Sequence, residues 1–291
     1  MKAVKVVVVL AVLAIAASAY CQSLTSGLFS ARQLAMGGAA VAVADDAFAW
    51  AQNPAGLPNA KAPADEGKWG FNLAGSTSFS SQFEDFDEFN VSDASIAAVS
   101  PSRDWGVGAG WGLMSEEDWG DSVGYGAGAG VRIKSNHPFN VGASYFHVKR
   151  PRYFTVVTDA TTRVRDDETD NMFNVGAMYD VEIPDARPIR LGLVVQDVTD
   201  QIMRSWNAGV SFNVGRNLLV AADLDGIGSF DRNWGAGAEY SFADDWCLRA
   251  GDFNGACSWG AGYHHGRVYV DFGREEKDEG ETNVVTAGFT F

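Results

Sequence analysis

From Lys68 to Phe291 the chain alternates with a period of two, apolar side chains on one parity and glycine or polar side chains on the other. Such alternation marks strands whose two faces meet different surroundings. Over 205–214, Trp206, Ala208, Val210, Phe212 and Val214 oppose Asn207, Gly209, Ser211 and Asn213. Over 104–113, Trp105, Val107, Ala109, Trp111 and Leu113 oppose Gly106, Gly108, Gly110 and Gly112, and over 123–133 Val123, Tyr125, Ala127, Ala129, Val131 and Ile133 oppose Gly124, Gly126, Gly128, Gly130 and Arg132. Helical spacing does not fit these runs. Strands are predicted at 68–79, 94–99, 103–113, 121–133, 139–148, 171–182, 188–196, 205–214, 217–224, 232–242, 246–251, 256–263, 267–273 and 283–291, about fourteen in all and so an even number, as single-chain bacterial barrels have. The gaps opening at Ser80, Met114, Lys149, Asp197, Asp225, Asp252 and Arg274 are expected to be longer loops. The connections between them, such as Gly215-Arg216 and His264-His265-Gly266, read as short turns.

A soluble β-sandwich alternates too, but its outer face carries side chains that solvate the sheet. Here the polar parity is mostly glycine, which weakens a strand unless another backbone lies close against it. Glycine numbers 33 of 291 residues, above the usual share of roughly 7 %, and nine Trp, eighteen Phe and eight Tyr need somewhere to go. The prediction is therefore all-β, a transmembrane antiparallel up-and-down β-barrel with aromatic and aliphatic side chains toward lipid. The formal charge of −15 and the absence of Lys/Arg clusters argue against nucleic acid as a partner. Acidic runs at Glu84–Glu88, Arg165–Asp170 and Arg274–Glu281 read as solvated loops.

Residues 1–19 read as a signal peptide, with Lys2 and Lys5 before an apolar run from Val6 to Ala17 and small residues at Ala17 and Ala19. That run is shorter than the ~20 residues a membrane-spanning helix needs, so export to the cell outer membrane is expected. Tyr20 fits poorly ahead of a lipidated Cys21. Strand parity puts Cys247 and Cys257 on opposite faces, so a disulfide would need a bulge to shift one register.

Between leader and first strand, Ala31 to Leu57 reads ARQLAMGGAAVAVADDAFAWAQNPAGL, alanine-rich and without alternation, and short helices are predicted. Through Arg32, Ala35, Met36, Gly37, Gly38, Ala39, Ala42, Asp45, Asp46, Ala47, Asn53, Pro54, Ala55, Gly56 and Leu57 this segment resembles the N-terminal region of the long-chain fatty acid transporter (FadL)-like barrels and the related PorV/PorQ-type outer-membrane proteins. The resemblance implies a fourteen-stranded barrel (68–291) plugged by the N-terminal segment (20–67), with Arg32, Met36, Gly37, Gly38, Asp45, Asp46, Asn53, Pro54, Ala55 and Gly56 as plug or gating residues. Phe289 and Phe291 look like the C-terminal assembly signal read by the barrel-assembly machinery. Transport members of the family pass hydrophobic molecules past the plug and sideways into the membrane. PorV-type relatives act with secretion-system proteins. Passive transport of a small hydrophobic ligand, fatty-acid-like or aromatic, is the leading expectation; a non-transporting secretion or surface-assembly component is the alternative.

Room for a plug accounts for the inward glycines, so Gly106, Gly108, Gly110, Gly124, Gly126 and Gly128 are expected to face Met36–Ala47. Inward parity also selects Arg132, Phe146, Met178, Arg190, Glu239 and Arg249 as lumen-facing. Asp45 and Asp46, buried in the plug, are expected to pair with Arg132, Arg190 or Arg249, because buried carboxylates need partners. Phe146, Val148, Met178 and Val194 are expected to line the passage. Asn53-Pro54-Ala55-Gly56 should end a helix and redirect the chain into the first strand. Enzymatic chemistry is not indicated: His264 and His265 sit in a short turn, His137 lies beside Pro138, and His147 has lipid-facing parity, from which Ser144 differs. No short-spaced Cys/His set suggests zinc and no ligand pattern suggests calcium, so no metal and no cofactor are expected.

Overall fold

The computed structural model describes residues 30–291 apart from 64–66, 83–88, 117–119, 158–160, 185–186, 201–203, 229–231, 244 and 278–279. The leader expected at 1–19 and Cys21 lie outside the described residues. Fourteen strands follow a short helical segment: β1 Gly70–Gln82, β2 Phe89–Val99, β3 Trp105–Glu116, β4 Gly120–Ile133, β5 Phe139–Val157, β6 Thr161–Val181, β7 Ile189–Gln196, β8 Ser205–Val214, β9 Leu218–Ile227, β10 Asn233–Phe242, β11 Trp246–Phe253, β12 Ala256–His265, β13 Val268–Lys277 and β14 Gly280–Thr290. Each pairs antiparallel with its sequence neighbours, and β1 pairs with β14 to close the barrel. Closure leaves no sheet edge, which a sheet in lipid requires because no water is there to satisfy free backbone groups. The seam ends where Phe71 and Phe291 exchange backbone hydrogen bonds of 2.7 and 3.0 Å and their rings stack at 5.1 Å. Phe289 stacks on Phe291 in turn, both rings facing outward.

The parity read from the sequence holds around the wall. Trp105, Trp111, Tyr125, Phe173, Leu191, Trp206, Trp246 and Trp259 are exposed on the outside, while Asn72, Asn174, Ser211, Arg249 and Thr286 are buried inside. Such an apolar girdle with aromatic rings suits a bilayer. The ladders of β2 with β3 and of β3 with β4 run unbroken over the described residues. A register shift occurs between β8 and β9 at Trp206/Ala208. There Gly226, at φ +68°, is the extra residue, and its N–H donates to the Asn207 side chain at 3.0 Å.

Several strands reach further than the alternation did. Glutamates and arginines at 165–170 and 274–277, expected in loops, stand in β6 and β13. Beyond the bilayer both faces of a hairpin are wet, so period-two hydrophobicity stops before the backbone ladder does. Cross-strand charge takes over: Lys149 pairs with Asp167 at 2.9 Å, and Arg150 with Asp170 at 2.9 Å. Cys247 is buried on the lumen side and Cys257 exposed, both as free thiols.

Candidate functional site

The N-terminal segment runs inside the barrel as a plug built from α1 (Ala31–Ala35), α2 (Ala49–Gln52) and a 3₁₀ helix at Pro54–Asn59. Ser30 caps α1 by accepting the Gln33 N–H at 3.2 Å. Gly37 and Gly38, at φ +63° and +75°, end it, and the Gly38 N–H closes back on the Gln33 carbonyl at 3.0 Å. A Cβ on Gly37 would also run into the backbone of Asp252 and Ala236, so this turn lies directly on β10 and β11. Asn53 and Pro54 open the 3₁₀ helix instead of leading into β1: the Asn53 carboxamide oxygen accepts from Ala55 N at 3.1 Å, while its NH₂ donates to the Val41 carbonyl at 2.8 Å. Gly56 packs so closely on the Ala44 carbonyl that no side chain fits. The motif thus folds the plug back on itself.

The inward glycines do meet the plug, but not the stretch expected. Gly108, Gly126 and Gly128 face Trp50, Gly106 faces Leu57, and Gly110 meets both Ser95 and Trp50; Gly124 meets only β5. Met36–Ala47 instead lies on another set: Gly237 and Gly251 meet Met36, Gly235 meets Gly37, and Gly192 and Gly209 meet Val41. Sequence parity found the face but could not tell which turn of the plug would reach which strand. Trp50, wholly buried, donates its indole N–H to Ser95 at 3.1 Å and stacks on Phe146 at 4.8 Å. With Leu57, Met172 and Met178 these rings form a closed apolar core. Phe146, Met178 and Val194 are therefore packed, at 8 %, 3 % and 0 % exposure, and do not line an open passage.

The charges are arranged differently from the expectation too. Asp45 pairs within the plug, with Arg32 at 2.5 Å and Lys61 at 3.5 Å, and not with Arg132, Arg190 or Arg249. It is Arg32 that crosses to the wall, to Glu239 at 2.8 Å. Glu239 also takes Arg249 at 2.7 Å, and Arg249 reaches Asp271 at 2.7 Å. An alternating ladder thus runs Lys61, Asp45, Arg32, Glu239, Arg249, Asp271, from plug to wall. Burial works against a charged Arg32, but Asp45 and Glu239 outweigh it and raise the guanidinium pKa. Burial likewise pushes Asp45 up, yet Arg32 and Lys61 bring it below the usual carboxylate value, whereas Asp46 is left raised by burial.

Further seats escaped the sequence reading. The Asp223 carboxylate accepts the Ala40 and Val41 N–H groups at 2.5 and 2.7 Å, and Arg103 donates to the carbonyls of Ala60 at 3.3 Å and Ala62 at 2.5 Å. Asp223 was legible as one of two carboxylates, with Asp225, on the inward parity of an apolar strand. Arg103, expected to open the strand at 103–113, sits instead in the turn before β3, at φ +53°. At the barrel end that carries Phe291, two neighbouring cavities of about 270 and 230 Å³ share Asp180, Pro188 and Arg190. Arg132 lines the first and reaches the plug through Asn59 at 2.6 Å, and Arg190 is bound to Asp180 at 2.7 Å. This vestibule is polar. Near the same end Cys247, His264 and Asp271 come within 4.8 Å of one another, from three strands, although no spacing in the sequence suggested a Cys/His set.

No family model matches the chain, and no curated protein matches it. Solved structures do. The toluene transporter TbuX of Ralstonia pickettii is similar with a TM-score of 0.63 and 14 % identity over 90 % of this chain and 97 % of that one. The toluene transporter TodX of Pseudomonas putida gives 0.61 and 13 % over 90 % and 97 %, and a FadL homologue of Pseudomonas aeruginosa 0.57 and 9 % over 90 % and 98 %. The chain has the fourteen-stranded plugged fold of the FadL-family transporters.

Proposed function

We propose that this chain is an outer-membrane channel for small hydrophobic molecules, with monoaromatic hydrocarbons ahead of long-chain fatty acids. The observation that carries it is the plug itself: an apolar core around Trp50, Phe146, Met172 and Met178 fills one side of the lumen, above a polar vestibule at the Phe291 end. An aromatic guest can replace ring contacts of this core with its own, where a sugar would strand its hydroxyls. In this reading the vestibule faces the periplasm, the extended β5–β6 hairpin faces outward, and the leader at 1–19 exports the chain. Passage requires the plug to shift, because the core is closed at rest. The similarity in fold to two toluene transporters supports an aromatic guest. The secretion-partner reading draws no such support.

Uptake by liposomes carrying the purified barrel tests this, with toluene, a fatty acid and a small sugar compared. Toluene should enter faster than into empty liposomes, and the sugar should not. Equal rates with and without the barrel for both hydrophobic probes would overturn the proposal.

A further inference from the structure

We propose that Cys247, His264 and Asp271 form a binding site for a thiophilic divalent metal ion, zinc in the first instance, open to the aqueous vestibule end of the barrel. Register brings the three together. Cys247 on β11 stands opposite Gly262 on β12, and Gly262 stands opposite Asp271 on β13, so a thiol and a carboxylate flank a position without a side chain. A Cβ at Gly262 would meet the Cys247 sulfur at 2.6 Å and overlap Asp271 Oδ1, so glycine is what lets the two converge. His264, two residues further along β12, projects on the same face and places Nε2 2.9 Å from Asp271 Oδ1.

The donor atoms lie within 4.8 Å of one another. Tetrahedral zinc with bonds of about 2.0–2.3 Å spaces its ligands about 3.3–3.8 Å apart, so a contraction of roughly 1 Å closes the set. Thiolate, imidazole and carboxylate are the ligand types zinc takes, and three protein ligands leave a fourth position for water. That position has access, because the His264 side chain is 40 % exposed while Asp271 is 4 % exposed. On binding, the thiol S–H breaks, the sulfur bonds the metal and the proton leaves to solvent on the His264 side; no redox change is involved.

The neighbouring Arg249 does not forbid the ion. It is held by Glu239 on Nε and by Asp271 Oδ1 on Nη1. Its charge is already met by Glu239 and Asp271, and a Cys247 thiolate adds one negative charge to a ladder that is otherwise neutral from Lys61 to Asp271. Asp271 then serves both ladder and metal, so an ion there would fix the wall end of the chain of charges that holds the plug.

The test uses the full chain in detergent with Cys21 and Cys257 changed to Ser, which leaves Cys247 as the sole cysteine of the three. Titration with Co²⁺ should give one bound ion per barrel and a near-ultraviolet sulfur-to-cobalt absorption that Zn²⁺ displaces. Cys247→Ser should abolish that band, and His264→Ala or Asp271→Asn should weaken Zn²⁺ by about tenfold or more, since even changes behind a ligand cost that much. A band that survives Cys247→Ser, or no band at all, overturns the proposal. A second measurement needs no change at the site: native mass spectrometry of the same protein in Zn²⁺ should count one bound ion per barrel, and none refutes it.

Discussion

The plug is held by two walls that work by different physics. Against β3–β6 the contact is shape: glycines bring the wall within van der Waals distance of Trp50, Leu57 and Pro54, and Phe146, Met172 and Met178 close an apolar core around them. Against β10–β13 the glycines are also present, at 235, 237, 251, 260 and 273, but the side chains between them carry charge, from Arg32 through Glu239 and Arg249 to Asp271. An apolar contact is non-directional and can re-form around a displaced ring or a guest. A buried ion pair is directional, and it leaves uncompensated charge if it parts. The comparison assigns movement to the Trp50 side and anchorage to the Arg32 side.

Backbone clearance is where the largest effects lie. A Cβ at Gly237 would come within 2.6 Å of the Met36 backbone, while at Gly108 it would first meet side chains, Trp50 Cβ at 2.9 Å and Leu57 Cδ2 at 3.0 Å. Leucine at either position should expel the plug or prevent folding. Alanine separates the walls: Gly237→Ala should still make the N-terminal segment protease-sensitive, whereas Gly108→Ala should cost about 1–3 kcal/mol as Trp50 and Leu57 shift. Equal protease protection of both alanine variants would contradict the division into a rigid and a yielding wall.

Next come the two anchors themselves. Trp50→Ala should destabilise by about 3–5 kcal/mol, the range for emptying an aromatic site, and raise permeation of toluene. Glu239→Gln should cost about 3 kcal/mol, the low end for breaking a buried pair, because Arg32 keeps Asp45 and Arg249 keeps Asp271. The two should differ in kind. Thermal unfolding in detergent registers both, but only the tryptophan change should speed uptake without loosening the segment around Arg32 to protease. An uptake gain from Glu239→Gln larger than that from Trp50→Ala would reverse the assignment.

How far the sequence reached follows from the same physics. Trp206 to Val214 must present one face to lipid and one to the lumen, so strand number and parity were legible in alternation, and the glycines of the inner face argued for a barrel over a sandwich. Strand ends at 165–170 and 274–277 were not, because water on both faces removes the alternation while the ladder persists. Within the site, the inward glycines were legible as room for a backbone, but their partners were not: which plug residue meets Gly126 depends on the path of a segment with no periodicity. Arg32 bridging to Glu239 was likewise hidden, since parity gives the direction of a side chain and not its partner 207 residues away. The Cys247, His264 and Asp271 cluster needed the register of three strands, fixed only once the barrel closes.

The smallest effect concerns two adjacent carboxylates whose pKa values shift in opposite directions. Asp45, held low by Arg32 and Lys61 despite its burial, stabilises the plug above the usual carboxylate value and loses that contribution as pH falls through its depressed folded value. Asp46, raised by burial, does the reverse: its charge costs stability at neutral pH, and the cost disappears as pH falls and the group protonates. Its Oδ1 accepts the Phe48 N–H at 2.8 Å, a bond an asparagine oxygen can keep. Asp46→Asn should therefore raise the unfolding midpoint at pH 7 and change nothing near pH 3, while Asp45→Asn should lower it at pH 7 and converge with the parent only below the depressed folded value of Asp45. Both shifts should be smaller than that of Glu239→Gln, because Asp45 is 19 % exposed and only one of its partners is buried. If both asparagine variants moved the midpoint the same way at pH 7, the ladder would be reading total charge and not the pairing of Arg32 with its own neighbours.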